Sequence, residues 1–451
     1  MTSTLTPQAI SRRFLLGVFL ACQFFGLSRT FFMGVFGDGF NQVAAFLAYG
    51  SLLLLPVLLV FYRNTSRPGE GIGSFGSAWV AVMAVACTAS LFYGVVRGYY
   101  IREAVQDYAP YVILGAFVLI GARRGFWEDL VAILPWLLGG ALVINAIGLA
   151  GIGDLIEKDI GERVARESVG YRTQATLGFW GMALFLMRRR SFAFKFTAVA
   201  ALLFYLLQQV LFQKRLGTFE TLIYLAGFFI LIPVLANYRN QQDRVEDAKL
   251  FLGLLTAATL ATVVSVILGA DLLLAQAEAL YQRFIGAGTG QSRDQLGLLA
   301  TLFTENERYA LARQIFEDFN AWDTLFGRGM GGHFTIEVAL NANDEVRAQQ
   351  YLSLYLDDIG AFGRRGIEIG WLMPFMKGGL LLMGVMLTGV MAGLSRLRFL
   401  RDDPFTLAAW AWLLIELLYL TQGGGFVVST SYRVILLGAC LGRCLAPLNA
   451  R

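Results

Sequence analysis

The sequence predicts an all-α, polytopic integral membrane protein of about 12 transmembrane helices with one large loop on the outer face. Three observations predict it. Of 451 residues, 57% fall in the set AVILMFWYC and only 15% are charged, whereas soluble domains run near a quarter charged. Mean hydropathy is +0.60. Apolar runs long enough to span a bilayer, about 20 residues, recur along the chain. An ordinary cytosolic enzyme is thereby excluded. Disorder is excluded as well, because the chain carries 36 Phe, 17 Tyr and 8 Trp. The 50 Gly against 9 Pro suit tightly packed spanning helices, where small residues let backbones approach.

The runs fall near 14–36, 42–62, 76–96, 106–121, 129–149, 173–187, 192–212, 217–236, 250–269, 367–394, 405–422 and 430–447. The first is not a cleavable signal, since it lacks a small-x-small site. Phe19-Leu20-Ala21-Cys22 only faintly resembles a lipoprotein cleavage box, and Cys22 reads as a buried residue. Every second connection then carries a compact basic cluster. These are Arg12/Arg13, Arg63/Arg67, Arg123/Arg124, Arg188-Arg189-Arg190, Arg239/Arg244/Lys249, Arg396/Arg398/Arg401, and Arg443 with Arg451. By the positive-inside rule these face the cytoplasm, as do both termini.

Residues 270–366 divide the chain into 1–269, with nine runs, the loop itself, and 367–451, with three. A loop this long in a compact protein is usually functional. Within it, Thr304-x-x-Glu307 reads as a capping box. Phe316, Phe319, Trp322 and Phe326 recur at helical spacing. They predict an amphipathic helix against the outer membrane surface or over a cavity, closed by the glycine turn Gly327–His333. Core or membrane contact is the commoner use of aromatics at such spacing. A second outer loop, about 150–172, is rich in charges of both signs, including Arg172.

Ionisable groups in or near spans are costly and point to function. Here they gather at the outer ends. Arg172 precedes the sixth run, and Lys214-Arg215 occupy a turn of a few residues, with Glu220 one helical turn on. Adjacent cations in so short an outer turn oppose the positive-inside bias. Arg offers a planar fork that matches phosphate oxygens, so an outer anion site is expected; the alternative is interfacial anchoring. Lys377 and Glu416 lie deeper, where they are expected to pair with each other, to snorkel or to serve function. His333, the single His, is the one side chain whose unperturbed pKa lies near neutrality. Glu368 opens the tenth run, where partial desolvation would suit a general base and the helix macrodipole would equally favour an acid. One His cannot build a zinc site with others of its kind. The four Cys (Cys22, Cys87, Cys440 and Cys444) sit in apolar runs, which speaks against a disulfide framework.

Three stretches resemble the O-antigen ligase and O-antigen polymerase superfamily of bacterial inner-membrane proteins. The turn Lys214-Arg215-Leu216-Gly217 is similar to the family's basic-Arg-Gly turn. Glu307-Arg308 through Trp322, then Leu325-Phe326-Gly327-Arg328-Gly329, is similar to its loop helix, which begins at an Arg and ends in a Gly-x-Gly turn. Glu368-Ile369-Gly370-Trp371-Leu372, then Lys377-Gly378-Gly379-Leu380, is similar to its stretch re-entering the membrane.

The resemblance implies a GT-C-like membrane glycosyltransferase acting at the periplasmic face. The donor would be a glycan on undecaprenyl pyrophosphate and the acceptor a sugar hydroxyl on a glycan or a lipid-linked chain. No metal, cofactor or nucleic acid is implied; membrane lipids and polysaccharide-assembly proteins are the other expected partners. Arg215 and Arg308 would hold the pyrophosphate, with Lys214 and Arg172 as weaker carry-overs. Glu368 or His333 would take the proton. Ligases of the family carry His where this chain has Glu368, so the resemblance favours a polymerase of O-antigen or exopolysaccharide repeats. A ligase attaching glycan to lipid A-core is the close alternative. A transporter, with midplane charges in broken helices of paired halves, is the alternative of another class.

Overall fold

The computed structural model describes residues 7–27, 43, 46–47, 49–65, 71–157, 182–183, 185–186, 195–197, 199–200, 227–228, 249, 316–317, 319–332, 334–335, 363–364, 370, 372–395, 403–419 and 432–447. Its helices are α1 (Pro7–Leu27), α2 (Leu54–Asn64, entered through the 3-10 turn Ser51–Leu53), α3 (Ser74–Val96), α4 (Ile101–Gly121), α5 (Arg124–Glu157), α6 (Ala321–Phe326), α7 (Leu372–Leu394), α8 (Pro404–Tyr419) and α9 (Tyr432–Leu445). One two-residue antiparallel ribbon joins β1 (Phe334–Thr335) to β2 (Gly363–Arg364), with Phe334 opposite Arg364. The architecture is otherwise all-α. Among the described residues, α3, α4 and α7 are long and apolar enough to cross a membrane.

Several boundaries differ from the apolar runs. α1 starts at Pro7 rather than near residue 14. Proline suits the first helical position, where its missing N–H costs nothing, and Arg12 and Arg13 become helix residues because a buried carboxylate compensates them. α5 continues to Glu157 instead of ending near 149, so the outer loop expected from 150 begins as helix. Hydropathy marks where a helix can meet lipid, not where its backbone hydrogen bonds stop. Runs six to nine lie outside the stretches described as continuous helices.

The closest helix pair is α4 with α9, and glycines set its spacing. A Cβ built on Gly442 would lie 2.1 Å from the Val118 carbonyl oxygen. One on Gly438 would lie 2.6 Å from the Leu114 oxygen, and one on Gly121 2.3 Å from Ala439 Cα. Gly438 and Gly442 stand four apart on one face, the small-xxx-small arrangement that lets helices touch backbone to backbone. Cys440 and Cys444 lie buried in this core as free thiols, as their apolar setting predicts. α3 meets α7 in the same manner, with Gly389 under the Trp79 ring and Trp79 Nε1 donating to the Val385 carbonyl at 2.7 Å.

One end of the bundle is closed by two charged clusters. Asp129, buried at the start of α5, accepts from Arg12 Nε at 2.6 Å and Tyr62 Oη at 3.0 Å, and pairs with Arg13 at 3.3 Å. Arg12 also donates to Thr65 Oγ1 at 2.7 Å, and Arg123 donates to the Tyr62 carbonyl at 3.0 Å. Nearby, Arg443 is 0% exposed and donates to Asp403 Oδ2 at 2.6 Å and to the Ala122 carbonyl at 3.4 Å. Asp403 caps α8 ahead of Pro404: its Oδ2 accepts the Thr406 N–H at 3.0 Å and the Thr406 hydroxyl. Burial works against the charge on Asp403, but the Arg443 charge and these hydrogen bonds outweigh it and hold the carboxyl below the usual carboxylate range. Arg12, Arg13, Arg123 and Arg443, expected on one face, therefore do share one end.

Two predictions follow from this packing. Gly442→Leu should cost about 1–3 kcal/mol by overpacking, read as a lowered melting temperature in detergent, while Gly139→Ala, whose Cβ meets nothing within 4 Å, should be near neutral. Asp403 has a lowered folded pKa, so its contribution is fully present above the ordinary carboxylate range and is lost as pH falls through that lowered value. Asp403→Asn should remove that part of the acid-side loss of stability. It should also cost about 3–5 kcal/mol at neutral pH, because it strands the buried Arg443 guanidinium.

Candidate functional site

The opposite end, where α3 finishes and α4 and α7 begin, receives residues 319–332. Asn320 caps α6 by accepting the Asp323 N–H at 2.9 Å, so α6 is a helix of six residues and Phe319 precedes it. The single amphipathic helix expected through Phe316–Phe326 is therefore interrupted. Its aromatics divide into two groups. Phe316 and Phe319 pack on Phe375 at 5.0 and 5.7 Å between ring centroids. Trp322 and Phe326 stack on each other at 5.4 Å.

The glycine turn follows where the sequence places it, with Gly327, Gly329 and Gly331 at φ of +71°, +90° and +81°. These glycines fit against glycines of the bundle. A Cβ on Gly327 would lie 2.5 Å from the Gly378 nitrogen, and one on Gly329 2.6 Å from Gly94 Cα. α7 leaves helical geometry at Gly379, with φ 62° and ψ −159°. The break removes the intrahelical acceptor role of nearby carbonyls, and the turn fills it. Arg328 N donates to the Met376 oxygen at 2.8 Å and Gly329 N to the Lys377 oxygen at 3.1 Å. Met330 N donates to the Ser90 oxygen at 3.1 Å, and Ser90 Oγ to the Lys377 oxygen at 2.6 Å.

Two ionic groups fasten this segment. Lys377, 1% exposed, pairs with Asp107 of α4 at 2.5 Å and donates to the Gly332 carbonyl at 2.7 Å. Asp107 Oδ2 also accepts the Gly331 N–H at 2.8 Å. Further out, Asp323 is shared by Arg97 at 2.9 Å and Arg328 at 3.9 Å. Arg97 lies over the Tyr93 ring and Arg328 over the Phe319 ring. Burial opposes the Arg97 charge, but Asp323 outweighs it and raises the guanidinium pKa. Asp323 thus joins guanidinium groups from the end of α3 and from the glycine turn.

Mutual pairing is one of three alternatives for Lys377 and Glu416, and among the described residues each takes a different partner. Lys377 is compensated by Asp107, and Glu416 by Arg433 at 2.5 Å. Each charge is buried on a different helix pair and takes the counter-charge across its own interface. The other residues singled out from the sequence, Glu368, His333, Arg215, Arg308, Lys214 and Arg172, lie outside the described residues, as does the Thr304–Glu307 capping box. Their convergence in one outer cavity thus stands as an expectation.

Arg97, Asp107, Asp323 and Arg328 are what the sequence reading missed. Asp107 had a local signal: it is a carboxylate inside an apolar run, three residues before Pro110. Arg97 and Asp323 had none, because only the fold brings them together. No family model, no curated protein and no solved structure matches the chain.

A buried pair broken on one side leaves an uncompensated charge, at about 3–5 kcal/mol. Lys377→Met or Asp107→Asn alone should therefore lower the detergent melting temperature strongly. The double variant should recover part of the loss, and a double-mutant cycle measures the coupling. Additive losses would show that the pair contributes nothing as a pair.

Proposed function

We propose that this chain is a membrane glycosyltransferase that polymerises O-antigen or exopolysaccharide repeats, in the manner of the O-antigen ligase and polymerase superfamily. The observation that carries the proposal is the seating of the Gly-x-Gly turn, Gly327–Gly329, on the re-entering stretch Lys377–Gly379. These are two of the three segments that resemble the family. They meet at the end of the bundle opposite the Arg12, Arg123 and Arg443 clusters, consistent with a loop on the outer side of twelve spans.

In this proposal a sugar hydroxyl of the acceptor attacks the anomeric carbon of the donor glycan. The new glycosidic C–O bond forms as the bond to the lipid pyrophosphate breaks. Glu368, or His333, takes the hydroxyl proton, and undecaprenyl pyrophosphate leaves with the bonding pair. Arg215 and Arg308, with Lys214 and Arg172, neutralise the charge that builds on the leaving group. Losing one such donor costs about 2.7–4 kcal/mol in comparable sites.

A transporter is the second reading, and one observation favours it. α7 is broken at Gly379 beside the buried Lys377–Asp107 pair, and discontinuous helices with internal charges mark many transporters.

A deletion-and-complementation gel tests the proposal. Cells lacking the gene should accumulate lipid-linked single repeats, and Arg215→Ala, Arg308→Ala and Glu368→Gln should do the same while expressing normally. Long glycan stranded on the undecaprenyl carrier would instead mean a ligase. Normal surface glycan in the deletion strain would remove the glycosyltransferase reading and leave transport. Normal glycan with Arg215→Ala would remove the arginine assignment.

A further inference from the structure

The turn donates its hydrogen bonds deep in the bundle. Its anchors Ser90 and Lys377 lie six and five residues inside the helix ends Val96 and Leu372, and Asp107 stands at the start of the apolar run 106–121. At 1.5 Å per residue these are depths of about 8–9 Å. α3, of 23 residues, is about 35 Å long, close to the hydrocarbon thickness of about 30 Å. A tip held at those anchors is therefore below the membrane boundary. Irregular backbone survives at such depth only where protein satisfies its polar groups. Here the N–H groups of Arg328, Gly329, Met330 and Gly331 all find bundle acceptors.

We propose that residues 319–332 form a re-entrant segment of the membrane, and that the outward side of α6 contacts lipid acyl chains. The two sides of this short helix differ. Asp323 is buried and turned to Arg97. Trp322, 66% exposed, Leu325 and Phe326 face outward. That apolar patch continues onto exposed apolar surface of the bundle. The Leu325 backbone abuts Gly379, and the next residues of α7, Leu380 and Leu381, are exposed as well. A stacked Trp–Phe pair at the boundary has the composition of a membrane-interface belt. The inference is independent of what chemistry the protein performs.

Spin labels test it. Trp322→Cys and, separately, Leu325→Cys would be placed in the full chain with Cys22, Cys87, Cys440 and Cys444 replaced by Ala, and reconstituted into liposomes. Both labels should collide freely with oxygen and lose accessibility to a water-soluble nickel chelate, as a label at the lipid-facing control Val85 does. Their depth should lie between those of labels at Val85 and Val96. Free access by the nickel chelate would overturn the proposal by placing α6 in water. Exclusion of both reagents would overturn it by placing α6 under protein. If the cysteine-free chain fails to reconstitute, brominated acyl chains read the same contact in the native-cysteine protein. The emission lost in Trp322→Phe should be the bromine-quenched part, and an unquenched difference would overturn the proposal.

Discussion

An unpaired backbone carbonyl inside a membrane bundle costs several kcal/mol, and this constraint organises the α3, α4 and α7 end of the described structure. The break of α7 at Gly379 frees the carbonyls of Met376 and Lys377. The N–H groups of Arg328 and Gly329 occupy them. Only a glycine-rich turn can come so near, since a Cβ on Gly379 would sit 2.3 Å from the Leu325 backbone. The break and the turn are thus one hydrogen-bonded feature. Lys377 and Asp107 then clamp the turn from both sides, one through a carbonyl and the other through an N–H.

The two ends of the bundle solve different electrostatic problems. At the α1, α5 and α9 end, arginines belonging to different helices converge on Asp129 and Asp403. Guanidinium forks also take up carbonyls left open at helix termini, as Arg443 does at Ala122 and Arg123 at Tyr62. These arginines are structural cement as much as topological markers. At the α3, α4 and α7 end, Arg97 and Arg328 share Asp323, which ties the glycine turn to the end of α3.

The membrane character, the spans at 76–96 and 106–121, and the glycine turn were legible in the sequence because each is a local pattern: a hydropathy run, or a cluster of residues tolerating positive φ. The start of α8 at Pro404 lies one residue from the apolar run that begins near 405. The ends of α1 and α5 were not, because backbone hydrogen bonding continues past the apolar stretch wherever charges find partners. The split of the loop aromatics turned on Asn320, whose capping bond competes with continuing the helix. The six residues proposed to carry chemistry, Glu368, His333, Arg215, Arg308, Lys214 and Arg172, lie outside the described residues.

The sequence by itself determined the solvent this protein lives in, since too few charges and too many apolar runs leave no soluble alternative. It also determined which stretches can bend, because glycines are local. Only the tertiary structure decided which charges neutralise one another. Lys377 takes Asp107 rather than Glu416, and Arg97 takes Asp323, across separations that no spacing rule encodes. The physical reason is that a buried charge accepts whatever counter-charge helix packing brings within reach, and that packing is set by long-range contacts such as Gly442 on Val118.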